Sequence, residues 1–356
     1  MSPPLPYTPD LETVDPGEPA LFDRIAAVMR AGGKVAHDGA GPGGRLSHVT
    51  TIAALKGEVT VLPDLTPELA QGAFVPGRRY PVVARLSHLP GEDLDDRGVS
   101  SHRGLSIKLF GVEGTPLGAH RDGTQDFVLE NMPAFNVATP AHFLAAISTV
   151  EAAAPLPQGV KAGISTAARG INRALGAIGL ASANLDILGH QRRHPLSEAF
   201  YSQAPMRWGD YVAKLAAFPD DAQVNLPFHP DEPDALRNAA AAYIAEHGAT
   251  FTLAAQLRTD PDVMPIENAA TRWPEELSPY RPVALLHFPP GQAATPARLA
   301  SIDALSFSPA HAISAHRPLG GIMRARLVLY TMLADERRRV AGVPMTEPTG
   351  PEAIAD

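Results

Sequence analysis

The chain has 356 residues, of which 45% are hydrophobic and 19% charged, enough for a soluble protein with a substantial core. Its formal net charge of −8 argues against a general nucleic-acid binder, for which a basic surface is expected. The absence of cysteine excludes disulfides, thiolate ligands for iron, iron–sulfur clusters and cysteine nucleophiles.

The amino-terminal segment, residues 1–18, is rich in proline and acidic residues and predicts an arm. It lacks the basic region and apolar run of a secretory signal, so we expect a cytoplasmic protein. No stretch approaches the roughly 18 to 20 continuous apolar residues of a membrane-spanning helix. The first predicted helix covers Ala20–Ala31, where Leu21, Ile25 and Met29 form one stripe.

Strand-like alternation of apolar and polar residues recurs along the chain. The predicted strands are Leu55–Leu62, Tyr80–Ser87, Gly104–Phe110, Asp126–Glu130, Tyr211–Phe218, Thr250–Arg258 and Val283–His287. A sheet of this size avoids exposed edges when it closes into a barrel. Periodicity alone finds about seven strands.

Helices are predicted over Pro140–Ala153, Pro233–His247 and Pro318–Arg339, with Pro318 suited to the first turn of the last one. A helical insertion is predicted at about residues 157–200, since apolar residues in 159–188 follow helical spacing. Residues 343–356 read as a loose carboxyl-terminal tail.

The most informative segment is His316–Tyr330, in which Arg326 precedes Tyr330 by one helical turn. Both side chains are therefore expected on one helix face. A phenol titrates near pH 10, so tyrosine is a poor anionic ligand unless a metal and a nearby cation stabilise the phenolate. Arg-x-x-x-Tyr alone is weak evidence, because any charged helix contains such a pair by chance.

Other sequence blocks, which occur in a fixed order along the chain, make the Arg326/Tyr330 pair significant. They are Arg45-Leu-Ser-His48, Arg85-Leu-Ser87, Arg103-Gly-Leu-Ser-Ile-Lys-Leu-Phe110, Gln125–Pro133 and the Arg326/Tyr330 segment followed by Arg337. Together they resemble the catalase superfamily, in which tyrosinate binds haem iron. The resemblance covers about residues 20–342. Three further segments look like the short, catalase-related bacterial haem proteins: Trp208–Tyr211, Gln256–Pro261 and Trp273–Val283.

The resemblance implies an α+β fold: an eight-stranded antiparallel β-barrel surrounded by helices, with haem b between the barrel and the proximal helix. The eighth strand is supplied by the resemblance. We expect residues 19–342 to form this haem domain, followed by the tail at 343–356. The insertion would be a packing or oligomer helix, with a lid over the haem entrance or a peripheral lipid surface as alternatives.

The resemblance also assigns roles to single residues. Tyr330 would be the iron ligand and Arg326 its hydrogen-bond partner, while His48 would move the proton of a peroxide that Asn131 orients. Three arginines would bind the haem propionates: Arg45, Arg103 and Arg337.

The predicted reaction is reduction of hydrogen peroxide or an organic hydroperoxide, with a small-molecule electron donor. Ser47 departs from the apolar residue that catalases place before the distal histidine, and its hydroxyl is expected to hydrogen-bond His48 or a substrate oxygen. A fatty-acid hydroperoxide isomerase resembling allene oxide synthase is one alternative, and a non-catalytic haem carrier or redox sensor is another. We expect a homo-oligomer, with a homodimer preferred to the family's tetramer.

Overall fold

The structure is a computed structural model, which describes residues 2–40, 45, 47–89, 93–118, 123–153, 156–177, 183–342 and 347–356. The strands are β1 (Thr51–Val61), β2 (Arg79–His88), β3 (Arg103–Phe110), β4 (Thr124–Glu130), β5 (Phe200–Tyr201), β6 (Met206–Trp208), β7 (Tyr211–Pro219), β8 (Ala249–Leu257) and β9 (Arg281–Phe288). The helices are α1 (Glu18–Ala40), α2 (Pro140–Ala153), α3 (Gln158–Gly176), α4 (Ala183–Leu188), α5 (Ala235–His247), α6 (Pro296–Ala304) and α7 (Gly321–Ala341).

The sheet closes into an antiparallel barrel. Strands run in the order β5-β4-β3-β2-β1-β9-β8-β7-β6, and β5 also pairs with β7. Tyr201 of β5 faces both Glu130 of β4 and Ala216 of β7, so this short strand joins the two ends of an eight-stranded ring. β6 lies outside the ring as a hairpin partner of β7. The predicted α+β fold with an eight-stranded barrel is therefore confirmed.

The seven strands predicted from periodicity correspond to β1–β4 and β7–β9. The strand that closes the barrel, β5, was missed because it contains only two residues, Phe200 and Tyr201. So short a strand has no alternation to detect, and its pairing with β4 and β7 depends on distant parts of the chain.

Residues of alternating parity face opposite sides of each strand. On β3, Leu105 and Ile107 point into the barrel core, as do Phe127 and Leu129 on β4. Residues of the other parity point outward, where Val83, Phe110 and Val128 pack near Ile302 of α6. A side chain one position along a strand therefore lies on the other side of the barrel wall.

The helices at the ends of the chain pack on one another. Phe22 and Ile25 of α1 form a buried cluster with Ala325 and Leu329 of α7, and Phe143 of α2 packs against it. The predicted helices at 140–153, 233–247 and 318–339 are found with small differences at their ends, whereas α6 was not predicted.

The last helix begins at Gly321, so Pro318 lies before it rather than in its first turn. Carboxylates mark this start: Glu12 accepts from the Gly320 N–H and Glu267 from the Gly321 N–H, both at 2.8 Å. Negative groups at a helix amino terminus are stabilised by unpaired N–H donors and by the helix dipole. Arg324 contacts both carboxylates, so the arm is attached to the end of α7.

The carboxyl-terminal residues 347–356 are not a loose tail. Ile354 is 1% exposed and packs in the cluster between the outer face of β2 and α6. Burial of its apolar side chain away from water stabilises this position. The Ala355 N–H also donates to Ser301 at 3.0 Å. The prediction of a loose tail is wrong for this segment, and residues 343–346 lie outside the described part.

The insertion contains α3 and α4, as the helical spacing predicts, although Ile178 lies outside the described residues. Ser165 and Ala168 are buried, whereas Val160, Ile164 and Ile171 are exposed. Most of the apolar stripe therefore does not pack on the barrel. Its proposed roles in oligomer, lid or lipid contact stay predictions. No helix in the described part of the chain is long and apolar enough to span a membrane.

Candidate functional site

The proximal side of the candidate site is the face of α7 that carries the predicted tyrosine. Arg326 donates from Nη2 to the Tyr330 hydroxyl oxygen at 2.8 Å, and its guanidinium lies 5.0 Å from the centre of that ring. Arg326 is buried and also lies over the ring of Phe135, at 5.5 Å. The helical spacing thus brings this cation and phenol together, as predicted.

The distal side is formed by His48, which lies three residues before the start of β1. Its φ of +54° is uncommon for a residue with a side chain. Two backbone contacts hold this conformation: the His48 N–H donates to the Leu89 carbonyl at 2.9 Å, and Arg85 donates to the His48 carbonyl at 2.7 Å. The imidazole packs on Gly104, where an added Cβ would lie 2.8 Å from Cε1 of His48. Glycine at this position leaves room for the ring.

The imidazole is oriented by Ser87, not by Ser47. Nδ1 of His48 lies 3.0 Å from Oγ of Ser87, whose hydroxyl lies 3.4 Å from the Gly104 carbonyl that it donates to. This contact fixes the plane of the imidazole and leaves Nε2 available for other contacts. Ser47 donates to the Leu89 carbonyl at 3.3 Å. The prediction that Ser47 bonds His48 is wrong.

Glu130 reaches the second nitrogen of His48. Its Oε1 lies 3.6 Å from Nε2, on the outward parity of β4. Burial raises the pKa of the Glu130 carboxyl, but His48 and the positive charge of Arg326 outweigh burial and hold that pKa below its usual value. Arg326 of α7 is thus close enough to favour the charged form of Glu130.

Asn131 lies on the other side of the wall. Its Oδ1 accepts from the Arg103 N–H at 2.9 Å, and its Nδ2 lies 3.1 Å from Nε2 of His190. Both ends of the amide therefore contact protein groups. The prediction that Asn131 faces a ligand beside His48 is corrected: the preceding residue, Glu130, lies beside His48 instead. Consecutive residues along an extended chain point to opposite faces.

Three guanidinium groups lie close together, those of Arg45, Arg85 and Arg337, and Arg45 interacts electrostatically with Tyr330. Arg45 and Arg337 both donate to the backbone carbonyls of residues 303 and 305. Arg85 donates to the Asp303 carboxylate at 3.0 Å. Burial lowers the pKa of Arg45, and the charges of Arg85 and Arg337 lower it further.

Arg103 does not join this cluster. It lies at the start of β3 on the inward parity and is 1% exposed. Its Nη1 donates to Glu198 at 2.5 Å. The third arginine beside Arg45 and Arg337 is thus Arg85, and the predicted propionate role of Arg103 is corrected.

An ion network behind β3 accounts for Arg103. One oxygen of Asp186 lies 2.8 Å from Nε2 of His102 and 2.6 Å from Nδ1 of His190, while Nε2 of His190 lies 3.1 Å from Glu198. Burial lowers the pKa of His190, but both carboxylates outweigh it and place that pKa above the usual value. His102, Asp186 and His190 converge as metal ligands can. Since their donor atoms and charges already satisfy one another, we interpret them as an ion network that fixes α4 to the barrel.

Sequence reasoning therefore missed Arg85, Ser87 and Glu130. The Arg-Leu-Ser block contains the first two, and the parity rule within β4 separates Glu130 from Asn131. The burial and the hydrogen-bond partners of each side chain decide between neighbouring candidates, and only the folded chain shows them.

The arginine cluster tests whether the site fits a haem group. Nε of Arg45 is buried and has no hydrogen-bond partner among the described residues. The carboxylate nearest to it is Asp303, at 3.9 Å, which also pairs with Arg85. Two propionates would supply the acceptors and negative charge that this cluster lacks. The donor set, with a phenol held by a guanidinium, suits ferric iron.

Solved structures similar to this chain are catalases. Catalase A from Saccharomyces cerevisiae aligns with a TM-score of 0.60 and 16% identity, covering 91% of this chain and 67% of that one. A fungal catalase gives 0.62 and 18%, covering 91% and 65%, and a bacterial catalase gives 0.61 and 15%, covering 88% and 63%. No protein-family model and no curated protein matches the chain. It therefore has the catalase fold and spans about two thirds of the length of these catalases.

Proposed function

We propose that this protein binds haem b between the outer face of β1–β4 and α7 and reduces hydrogen peroxide or organic hydroperoxides. The observation that carries the proposal is the arginine cluster of Arg45, Arg85 and Arg337, in which Nε of Arg45 is buried with no hydrogen-bond partner in the described part of the chain, and Arg45 interacts electrostatically with Tyr330. The catalase fold and the Arg326–Tyr330 contact support it.

Each residue has a distinct part. Tyr330 would hold the iron as phenolate, and Arg326 would stabilise the negative oxygen by its hydrogen bond. Arg45, Arg85 and Arg337 would bind the propionates. When bound, haem supplies the redox-active iron that takes up the oxidising equivalents of the hydroperoxide.

His48 would handle the proton of the substrate. Ser87 holds Nδ1, so Nε2 would be the nitrogen that exchanges protons with the hydroperoxide and with the departing oxygen. The overall reaction is ROOH + 2 DH → ROH + H2O + 2 D•, where DH is a one-electron donor. Donor identity, homodimer formation, cytoplasmic location and membership of the short bacterial branch remain predictions.

Neither alternative gains a specific observation. The isomerase interpretation used the Ser47 hydroxyl as a substrate contact, and that hydroxyl donates to the Leu89 carbonyl. A carrier or sensor would bind haem without turning over hydroperoxide, so one experiment separates it from a peroxidase.

The test is to titrate the purified protein with haemin and then add hydrogen peroxide or cumene hydroperoxide with a chromogenic donor. Tyr330→Phe should remove the phenolate–iron vibrations from the resonance Raman spectrum and weaken haem binding. His48→Ala should keep haem but lose roughly 100-fold or more in turnover. Haem binding that is unchanged in Tyr330→Phe would refute the tyrosine ligand. Haem binding without turnover in the wild type would favour a carrier, and donor-independent consumption of a fatty-acid hydroperoxide would favour the isomerase.

A further inference from the structure

Glu130 has no part in the proposed reaction so far, although its carboxylate lies beside Nε2 of His48. The contact joins Oε1 of Glu130 and Nε2 of His48, at 3.6 Å. Nδ1 of the same ring is held by Ser87, so the carboxylate faces the nitrogen from which a proton would leave or arrive. The Glu130 side chain is 17% exposed, in agreement with a position at the edge of an accessible space.

The surroundings of Glu130 favour a negative charge. His48 and Arg326 face it from the start of β1 and from α7, and His102 contributes a further favourable interaction from the start of β3. Gly104 and Tyr201, its neighbours on the adjacent strands, bring no carboxylate. The position is therefore suited to an ionised carboxylate beside an imidazole.

Cleavage of a hydroperoxide requires two proton transfers. The oxygen that stays at the reaction centre loses its proton, and the departing oxygen gains one to leave as alcohol or water. A single imidazole must perform both transfers in turn. A carboxylate beside a protonated imidazole offers a base and an acid in one resting state.

We infer that Glu130 and His48 form such an acid–base pair, in which the Glu130 carboxylate accepts the hydroperoxide proton and protonated His48 delivers its Nε2 proton to the departing oxygen. This inference rests on the proposed function. The step is balanced: Glu130 gains the proton that ROOH loses, His48 loses the proton that ROH gains, and transfer from Glu130 back to His48 restores the pair.

The pair predicts a particular pH dependence. The carboxylate accepts protons until the pH falls through the lowered pKa of Glu130, so the reaction persists at pH 5–6. In Glu130→Gln the imidazole itself must accept the proton, and acid depletes the neutral form of an imidazole that can do so. The variant should therefore lose about 100-fold in rate at pH 5–6 and recover part of it as the pH rises.

The experiment compares the haem-loaded wild type with Glu130→Gln, Glu130→Asp and a matched control, Glu58→Gln. Glu58 also lies on the barrel but pairs with Arg79 at the far end of β1. Rates of hydroperoxide reaction and of cyanide binding are measured from pH 4.5 to 9. Hydrogen cyanide must lose its proton as it binds, so its association rate reports the base without turnover.

Support requires that Glu130→Gln slows both reactions at pH 5–6 and moves the acid limb to higher pH. Glu130→Asp should recover part of the rate, and Glu58→Gln should match the wild type. An unchanged profile, or an acid limb moved to lower pH, would overturn the inference, because Glu130 would then be inert or only adjust His48. Loss of haem binding in the wild type would instead refute the proposed function, so the two failures are distinguishable.

Discussion

Replacing Arg326 by methionine should weaken haem binding without unfolding the site. The guanidinium donates to Tyr330 at 2.8 Å and is 9% exposed, so water cannot readily take its place. A free phenol titrates near pH 10, and forming a phenolate at pH 7 therefore costs about 4 kcal/mol. A hydrogen bond to a charged group contributes roughly 1.5–3 kcal/mol. Without it, haem affinity should fall about 10- to 150-fold.

The assay is a haemin titration followed by absorbance, with the phenolate vibrations measured on the same samples. Arg339→Met is the matched control, because Arg339 lies on the same helix, is largely exposed and pairs with the nearby Glu336, at 2.6 Å. A surface ion pair of this kind contributes little to stability, because solvent screens both charges. Haem affinity of this control should equal that of the wild type.

Equal affinity and unchanged phenolate vibrations in Arg326→Met would refute the reasoning, because the guanidinium would then not stabilise an iron-bound phenolate. Circular dichroism would show whether a weakened variant remains folded. A variant that loses both affinity and helical signal would be replaced by Arg326→Lys, which keeps the charge but not the forked donor geometry. Partial recovery of affinity in that variant is the expected result.

Two predictions concern the barrel wall. Gly104→Ala should displace the His48 imidazole, since the new Cβ would lie 2.8 Å from Cε1 of that ring. Turnover should fall about 100-fold while haem is retained. Gly163→Ala, in an open position on α3, is the control and should leave turnover unchanged. Asp126→Asn should reduce the free energy of unfolding in urea by about 3 kcal/mol at pH 7, because it removes the closer of the two carboxylates beside the buried Lys108 ammonium, at 2.8 Å, and leaves only Glu347 at 3.8 Å among the described residues. Burial raises the pKa of Asp126, but Lys108 and neighbouring groups lower it overall, so this stability is present above about pH 4 and is lost as the pH falls through the folded pKa. Wild-type and variant stabilities that do not converge in acid would contradict this sign.

The sequence determined those features that depend on neighbours along the chain. The Arg326–Tyr330 contact follows from helical spacing, because residues four apart share a face whatever surrounds them. The seven longer strands were recognisable from their alternation, and the order of the motif blocks was sufficient to predict the catalase fold. Each of these signals lies within a few consecutive residues.

Tertiary structure decided which members of those blocks meet. Closure of the barrel depends on the two-residue strand β5, which has no local signal. Glu130 rather than Asn131 lies beside His48, and Arg85 rather than Arg103 lies near Arg45, because the barrel wall separates adjacent parities and places each strand against partners distant in sequence. Period-two alternation shows that two faces exist, but only packing against α6 and α7 determines which one lines the site.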